Sequence, residues 1–313
     1  MGPGSGEIQE EGPTGSSPSR LGGDDGTDTR DTEQLMAELP EVEIARRDLD
    51  KDVSGRKIKS VEVPGPYSML SGVPSKKALG PKLEGHKIVS VSRRGLWLLF
   101  DLGDDLILAM DLGHGAYIRR HANKDAVEPD TVLIIQLTQT GQIRLIAPKD
   151  SEPSVVLLSS DEIEDKIPLG TGFDPAAQPI PWTDFGRLLR ARGKEKLLHL
   201  LADESFIIGI GPIYADEILH SALLRYDRTA ESLTIQEIRR LYRAVVETVH
   251  AAIKHRGTTL PDVDYVDVFG KPGNYGQYIE VYGRVGQRGK SGRGDVRKLR
   301  VNARAHYFCD YQV

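Results

Sequence analysis

Two neighbouring residues near the start of the chain could take part in catalysis, depending on where translation begins. Met36 stands where a second start codon would be, and Ala37 and Glu38 follow it. If translation begins at Met36 and that methionine is removed, Ala37 exposes a primary α-amine with a pKa of about 7.7–8, and such an amine can form an imine. If translation begins at Met1, the nitrogen of Ala37 is an amide and cannot act as a nucleophile.

A second run, residues 209–217 (GIGPIYADE), is typical of a phosphate-binding helix start. Two glycines permit a tight backbone, and the helix that follows presents unpaired N–H groups at its amino terminus, where an anion binds well. Pro212 suits an early helical position but lacks a backbone N–H. We therefore expect Gly211, Pro212 and Ile213 to approach an anion such as a phosphate.

The charges of the chain are unevenly distributed. Residues 1–35 hold eight acids and two arginines, a net charge of −6, so the rest of the chain carries about +1 of the total of −5. Residues 280–313 hold eight Lys or Arg against three acids. Such a patch neutralises phosphates, although a solvated basic face is the alternative.

The elements that must position these groups follow from the hydrophobic pattern. A helix is predicted over 41–49, ended by Gly55, and short strand-like runs follow it. The predicted strands are 57–63, 87–92, 97–102, 106–110, 116–120, 132–136, 143–146 and 155–158. Hairpin connectors are predicted at 103–104 and 141–142. Helical stripes then cover 184–203, 213–225 and 235–255.

The pattern predicts an α+β fold: an N-terminal helix and antiparallel β-sandwich, then a helical domain with a C-terminal hairpin. We predict a disordered acidic extension or tag at 1–35, a sandwich domain at 36–167, a linker at 168–182, a helical domain at 183–276 and the hairpin at 277–313. The composition is that of a soluble globular protein without a membrane span or signal peptide. One cysteine, Cys309, fits a reducing compartment, and we expect a cytoplasmic, nucleoid-associated protein.

Several runs together resemble the formamidopyrimidine-DNA glycosylase/endonuclease VIII family of base-excision repair enzymes. They are MAELPEVE at 36–43, GIGPIYADE at 209–217, RGTTL at 256–260, DY at 264–265, GKPG at 270–273 and VYGR at 281–284. The resemblance covers about 36–313. It implies a helix–two-turns–helix domain, duplex DNA as partner, and a terminal amine that attacks the sugar C1′ while the adjacent glutamate handles protons.

The resemblance also assigns candidate DNA contacts. Arg304 holds the position of an arginine that bridges phosphates, Tyr265 belongs to a matching run, and Arg93 and Arg94 begin the Arg-Arg-x-Lys strand motif. His114 replaces a methionine that wedges into the base stack, and could stack in the gap left by an extruded base. Ala37 and Glu38 are the catalytic candidates, only if Ala37 is the mature amino terminus.

Departures from the family pattern affect the amine, the phosphate contact, the intercalating loop and the zinc finger. Ala37 stands in place of the terminal proline that carries the amine in the family. Leu96 stands in place of the phosphate-contacting lysine, Asp111 in place of a histidine, and residues 148–152 (PKDSE) in place of the intercalating loop. Of four zinc-binding cysteines only Cys309 remains, so we expect no metal, no other cofactor and a zinc-free hairpin.

These losses predict a monomeric DNA-binding protein that recognises damaged or abasic duplex, with standard glycosylase/AP-lyase activity lost or strongly altered. The alternative is an active DNA glycosylase/AP lyase of altered lesion specificity that uses the Ala37 α-amine and Glu38. A third hypothesis is a protein-interaction role in which DNA binding has also decayed.

Overall fold

The computed structural model describes most of the chain beyond its first 37 residues. The described residues are 9–10, 38–65, 76–113, 115–139, 141–169, 172–177, 180–289, 294–301 and 304–313. Two predicted site residues, Ala37 and His114, lie outside these ranges, as do most of the predicted extension at 1–35 and several positions of the predicted linker.

The first part of the described chain forms a helix and an antiparallel sandwich. Helix α1 (Leu39–Val53) has Pro40 in its first turn, and Gly55, with a φ of 85°, follows its end. The elements after it are β2 (Ile58–Glu62), α2 (Lys76–Leu83), β3 (Ser90–Arg94), β4 (Trp97–Asp101), β5 (Ile107–Asp111), β6 (Tyr117–His121), β7 (Thr131–Leu137), β8 (Gln142–Ile146), β9 (Ser154–Leu158) and α3 (Ile163–Lys166). They build two four-stranded sheets, in the orders β2-β7-β8-β6 and β3-β4-β5-β9.

Alternation along the strands explains why the two sheets stack. In β4, Leu98 and Phe100 are buried in the core between the sheets, whereas Leu99 packs on the opposite face with Ile167. Side chains of a strand point to alternate faces, so this pattern buries one face of each sheet. The predicted connectors are confirmed, since β4 pairs with β5 and β7 pairs with β8.

The second part of the chain is helical and ends in a hairpin. Its helices are α4 (Trp182–Ala191), α5 (Leu197–Leu201), α6 (Pro212–Ser221) and α7 (Ile235–Lys254). Its hairpin is β10 (Val296–Val301) with β11 (Arg304–Cys309), and the two-residue strand β1 (Gln9–Glu10) pairs with β10. Thr234 begins α7 with a capping box to Glu237, which fixes where the helix starts.

Helix α1 contributes to both hydrophobic cores. Val42 and Leu49 pack in the sandwich, while Leu39 and Ile44 pack among the helices. Leu96, in the turn between β3 and β4, contacts both cores as well. The amino terminus of α1 is therefore held at the junction of the two units, where a cleft can form.

The predicted fold class is confirmed, with local differences. Helix α2 was not predicted, because Pro81 lies inside it and proline is unfavourable in a helix interior. The single helix predicted at 184–203 is wrong: a turn around Gly193 (φ 57°) separates α4 from α5. The helix predicted at 213–225 ends at Ser221. Strand β1 differs from the disorder predicted for its two residues.

Candidate active site and nucleic-acid interface

The amino termini of α1 and α6 meet through Glu38. Its carboxylate Oε2 accepts a hydrogen bond from the N–H of Gly211 at 2.9 Å, and the N–H groups of Ile213 and Tyr214 lie close enough to lower the pKa of this carboxylate. A Cβ at residue 211 would lie 2.5 Å from Cδ of Glu38, so glycine is required for this approach. The N–H of Gly211 therefore bonds a protein carboxylate, and contact of residues 211–213 with a DNA phosphate stays a prediction.

A second carboxylate, Glu41, lies one helical turn further along α1. Its Oε1 accepts hydrogen bonds from the hydroxyl of Tyr214 at 2.6 Å and from the N–H of Thr258 at 3.1 Å. The Tyr214 hydroxyl is also 2.9 Å from Oγ1 of Thr258. Glu41 is not among the predicted site residues, although its spacing from Glu38 places both on one side of a helix.

Each of these two carboxylates keeps one oxygen unused. Glu38 is 5% exposed and Glu41 is 7% exposed. Within the described part of the chain, Oε1 of Glu38 and Oε2 of Glu41 are buried and have no hydrogen-bond partner. Buried polar atoms are almost always paired, so two unpaired oxygens in one place indicate a site built for another molecule.

Burial also changes the protonation of the pair. It raises the pKa of Glu41 from 4.5 to about 7, against the opposing hydrogen bonds of Tyr214 and Thr258. Burial likewise raises the pKa of Glu38, and the nearby charge of Glu41 raises it further, while the N–H groups of α6 act in the opposite direction. The pair consequently retains a proton near neutral pH.

Both carboxylates line a cavity of about 520 Å³ between the sandwich and the helices, which we call the carboxylate cavity. Its walls also come from β6, from α6 and from the segment 258–268. Tyr265, a predicted site residue, lines this cavity, and its ring packs where a Cβ of Gly257 would lie. Ile213, another predicted residue, lines it too.

Arg119 is a basic residue on the cavity wall that the sequence did not reveal. Its guanidinium lies 4.4 Å from the ring centroid of Tyr117 and donates a hydrogen bond to the carbonyl oxygen of Val266 at 2.9 Å. Burial lowers its pKa. An arginine held in this way presents a fixed positive charge to whatever enters the cavity.

The predicted DNA contacts Arg93 and Arg94 are engaged inside the protein. Arg93 is buried and forms ion pairs with Glu43 at 3.0 Å and with Asp174 at 2.7 Å. Arg94 donates to the carbonyl oxygen of Ile167 at 2.7 Å and pairs with Glu164 at 2.5 Å. These contacts join β3 to α1 and to the segment that leads into the helices, so the geometry gives both arginines a structural use.

A second pocket of about 280 Å³ lies beside the first, and we call it the acidic pocket. Asp111 and Glu204 line it together with Leu96 and Trp97, and Leu112 lines both pockets. Burial raises the pKa of Asp111, and burial together with the charge of Asp111 raises the pKa of Glu204. An apolar side chain, Leu96, and an acidic one, Asp111, thus stand where the resemblance implies a lysine and a histidine.

The carboxyl-terminal hairpin is attached to α6 by buried polar contacts. Asp216 accepts hydrogen bonds from Nδ1 of His306 at 2.9 Å and from the N–H of Tyr307 at 2.8 Å. Glu217 accepts from three successive backbone N–H groups, those of residues 280–282, at 2.8–3.0 Å. Arg304, exposed at the start of β11, is carried by this anchored hairpin.

The residues of this hairpin do not fit a zinc ion. Cys309 is one buried thiol, and the amide of Gln312 bonds the N–H of Cys309 and the carbonyl oxygen of Leu224. His306 is already bonded to Asp216. In the described ranges no cluster of three or more His, Cys, Asp or Glu could hold a metal, and zinc needs four such ligands in a structural site.

None of the helices in the described ranges combines the length and apolar character needed to cross a membrane.

Comparison with known proteins gives consistent matches over most of the chain. Residues 36–164 match the formamidopyrimidine-DNA glycosylase N-terminal domain, and residues 171–263 match the formamidopyrimidine-DNA glycosylase H2TH domain. The formamidopyrimidine-DNA glycosylase of Pelotomaculum thermopropionicum is 34% identical over 275 residues, covering 88% of this chain and 98% of that protein. The one from Heliobacterium modesticaldum is 31% identical with the same coverage.

Solved structures of a third relative contain damaged DNA. The complex of Lactococcus lactis Fpg with abasic-site DNA has a TM-score of 0.77 and 27% sequence identity, covering 87% of this chain and 97% of that one. A complex of a mutant of the same protein with Fapy-dG-containing DNA has a TM-score of 0.78 with the same identity and coverage. Both the fold and the order of its parts are therefore shared with DNA-bound structures.

Proposed function

Since the chain belongs to the formamidopyrimidine-DNA glycosylase family, we propose that it binds damaged or abasic double-stranded DNA as a monomer. In this proposal the standard glycosylase/AP-lyase activity of the family is lost or strongly altered. The observation that carries the proposal is the junction of α1 and α6, where Glu38 lies at the wall of a cavity of about 520 Å³ between the two units. A cavity of this size suits a small organic group.

The proposed DNA contacts follow the cavity and the hairpin. Arg304 on the hairpin contacts a phosphate, and the segment with Tyr265 faces the extruded nucleotide. Gly211, Pro212 and Ile213 lie at the junction, where the N–H of Gly211 bonds Glu38, and they stay proposed contacts to a DNA phosphate. His114 is proposed to fill the gap in the base stack. Arg93 and Arg94 support this surface through their internal ion pairs.

The loss or change of activity is inferred from the residues around the cavity. Leu96 and Asp111, an apolar and an acidic side chain, line the acidic pocket where the family has a lysine and a histidine. A phosphate gains charge-assisted hydrogen bonds from a lysine or histidine and none from these two residues. Ala37 replaces the proline whose amine is the nucleophile of the family.

The second candidate is an active DNA glycosylase/AP lyase of altered lesion specificity that uses the Ala37 α-amine and Glu38. The retention of the Glu38 carboxylate on the cavity wall favours it. It differs from the first candidate in requiring Ala37 to be the mature amino terminus.

Fluorescence anisotropy with an abasic-site duplex and the same duplex undamaged tests the DNA-binding proposal at two salt concentrations. We expect tighter binding to the abasic duplex, weakened by salt. Arg304→Ala should weaken binding to both duplexes about fivefold to tenfold and lower the salt slope by about one. Arg187→Ala, which removes an exposed arginine of α4, is the matched control and should bind normally. Binding that is absent or insensitive to salt would refute the proposal and favour a protein-interaction role.

A further inference from the structure

We propose that Gln312 is a positioning residue, whose side-chain amide holds the carboxyl-terminal hairpin where Arg304 meets a DNA phosphate. The amide makes this attachment by hydrogen bonds and needs no metal ion. This inference rests on the proposed function, because the place of Arg304 matters only if Arg304 contacts DNA. It goes further by naming the residue on which that contact depends.

The amide of Gln312 joins two separate parts of the chain. Its Oε1 accepts a hydrogen bond from the N–H of Cys309 at 2.7 Å, and its Nε2 donates to the carbonyl oxygen of Leu224 at 2.7 Å. Cys309 is the last residue of β11, whereas Leu224 lies just after α6, 88 residues before Gln312. Gln312 is only 4% exposed. A buried side chain therefore attaches the hairpin to the helical unit.

The two partners of this side chain require an amide. One partner is an N–H donor and the other is a carbonyl acceptor, and an amide carries one acceptor oxygen and one donor nitrogen on the same group. An ionised carboxylate of the same length would turn a second oxygen toward the carbonyl oxygen of Leu224. An apolar side chain would remove both bonds, which is unfavourable for buried backbone groups.

Further bonds on either side of Gln312 strengthen the attachment. The N–H of Arg225 donates to the carbonyl oxygen of Val313 at 2.9 Å, and the N–H of Val313 donates to the carbonyl oxygen of Leu223 at 3.3 Å. The hydroxyl of Tyr311 lies 2.8 Å from Nε2 of His220 in α6. The residues around the amide are thus held against the end of α6 and the segment that follows it.

Two attachment points fix the direction of the hairpin. Asp216 holds the middle of β11 through His306, and Gln312 holds its end through Cys309. Strands β10 and β11 pair over six residues each, so they move together. A hairpin attached at one place can rotate about it, whereas a second attachment stops the rotation. Arg304 lies at the opposite end of β11 from Cys309, where such a rotation would displace it most.

This attachment differs in kind from the one that the resemblance implies. A zinc ion with four cysteine ligands is expected there, and the donors that the described chain offers at the hairpin do not fit one. A hydrogen-bonded amide is insensitive to chelators. DNA binding by this chain should therefore survive treatment with 1,10-phenanthroline.

Anisotropy with the abasic-site duplex and the full chain tests the role of Gln312. Gln312→Met should weaken binding about threefold to tenfold and lower the salt slope by about one, because the phosphate contact of Arg304 is lost. In an Arg304→Ala background the same substitution should change affinity less than about twofold, since it acts through Arg304. Gln236→Met, at an exposed position of α7, is the matched control and should bind normally. Thermal melting shows that each variant folds.

Gln312→Glu gives a second test that loss of folding cannot imitate. A protonated carboxyl again offers one donor and one acceptor, so this variant should bind about tenfold more weakly than wild type at pH 8 and within about twofold of it at pH 5.5. The charges that act on the neighbouring Cys309 are those of Asp310, Glu217, Glu280 and Arg284. They and His220 are present in both proteins, so the comparison with wild type removes their titration.

Hydrogen exchange follows the attachment without DNA. The N–H of Cys309 should exchange faster in Gln312→Met than in wild type, while the N–H groups of α7 keep their protection. Wild-type affinity in Gln312→Met, losses that add to those of Arg304→Ala, or binding abolished by 1,10-phenanthroline would each overturn the inference and leave the proposed function standing. Absence of DNA binding by the wild-type chain would overturn both.

Discussion

The carboxylate cavity and the acidic pocket share Leu112, yet their acidic groups are held differently. In the cavity, Glu38 and Glu41 are buried and receive hydrogen bonds from α6 and from Thr258. In the acidic pocket, Asp111 receives a hydrogen bond from the N–H of Gly113 in its own loop, and the neighbouring charge of Glu204 is unfavourable to it. Carboxylates that are oriented by distant parts of the chain are typical of a functional site. A carboxylate that is bonded only within its own loop mainly changes the local charge.

The contrast indicates which part of the family site has been retained. The junction of α1 with α6, where two units must fit together, keeps its glycines and its glutamates. The pocket beside it is lined by Leu96 and Asp111, neither of which gives a phosphate a charge-assisted hydrogen bond. Binding of the base and binding of the phosphate can therefore be altered separately, and the following predictions test that separation.

The largest effect concerns protein stability and the pKa of Glu41. This pKa is about 7 in the folded protein and about 4.5 in the unfolded chain, so the folded state binds more protons between these values and loses stability as pH rises through them. Glu41→Gln removes this loss. Its free energy of unfolding, relative to wild type, should rise by at most about 3 kcal/mol between pH 5 and pH 8.

Urea unfolding at several pH values measures that difference. Asp50→Asn is the control and should follow the pH dependence of the wild-type protein. An unfolding free energy of Glu41→Gln that runs parallel to wild type across this range would show that Glu41 is not a buried, protonated group.

An intermediate effect is expected from restoring basic character to the acidic pocket. Leu96→Lys combined with Asp111→His should tighten binding to abasic duplex by about tenfold to 100-fold, because charge-assisted hydrogen bonds to a phosphate contribute roughly 1.5–3 kcal/mol. Anisotropy measures this, with a steeper salt dependence. Val89→Lys places a lysine at an exposed position outside the pocket and should change little. If the double variant and wild type bound the abasic duplex with equal affinity, the acidic pocket would not be where phosphate binding differs.

The smallest effect comes from Glu204 alone. Glu204→Gln removes one negative charge from the pocket, and we expect DNA binding about twofold to fivefold tighter at pH 7.5, since partly exposed charges act weakly. Because the pKa values of Glu204 and Asp111 are raised, wild-type binding should strengthen on acidification, and the variant should strengthen less. The other charged group lining the pocket, Arg94, is paired with Glu164. An identical pH response in both proteins would contradict this account.

The sequence predicted the elements whose pattern is local. Alternating apolar residues located β2 to β9, and the helical stripe located α7. The sequence did not predict α2, because Pro81 inside it is unfavourable to a helix. It did not predict the turn at Gly193 either, because apolar residues continue on both sides of that turn.

The site was predicted only in outline. Glu38 and residues 211–213 follow from the family motifs, but the partners of Glu41 are Tyr214 and Thr258, 173 and 217 residues away. The ion pair of Arg93 with Asp174 and the bond between His306 and Asp216 also join distant parts of the chain, 81 and 90 residues apart. Contacts of that kind depend on how the two units pack, which no local pattern contains.

Borohydride trapping on abasic-site duplex, with protein that begins at Ala37, tests most directly whether the amine chemistry of the family is lost or strongly altered. Lactococcus lactis Fpg is the positive control, and anisotropy confirms that both proteins bind the duplex. We predict that the protein beginning at Ala37 binds the duplex and forms far less covalent adduct than the control does. An adduct that forms as fast as that of the control, and is lost in Glu38→Gln, would show that the amine chemistry of the family is intact. That result would contradict the proposed loss or change of activity.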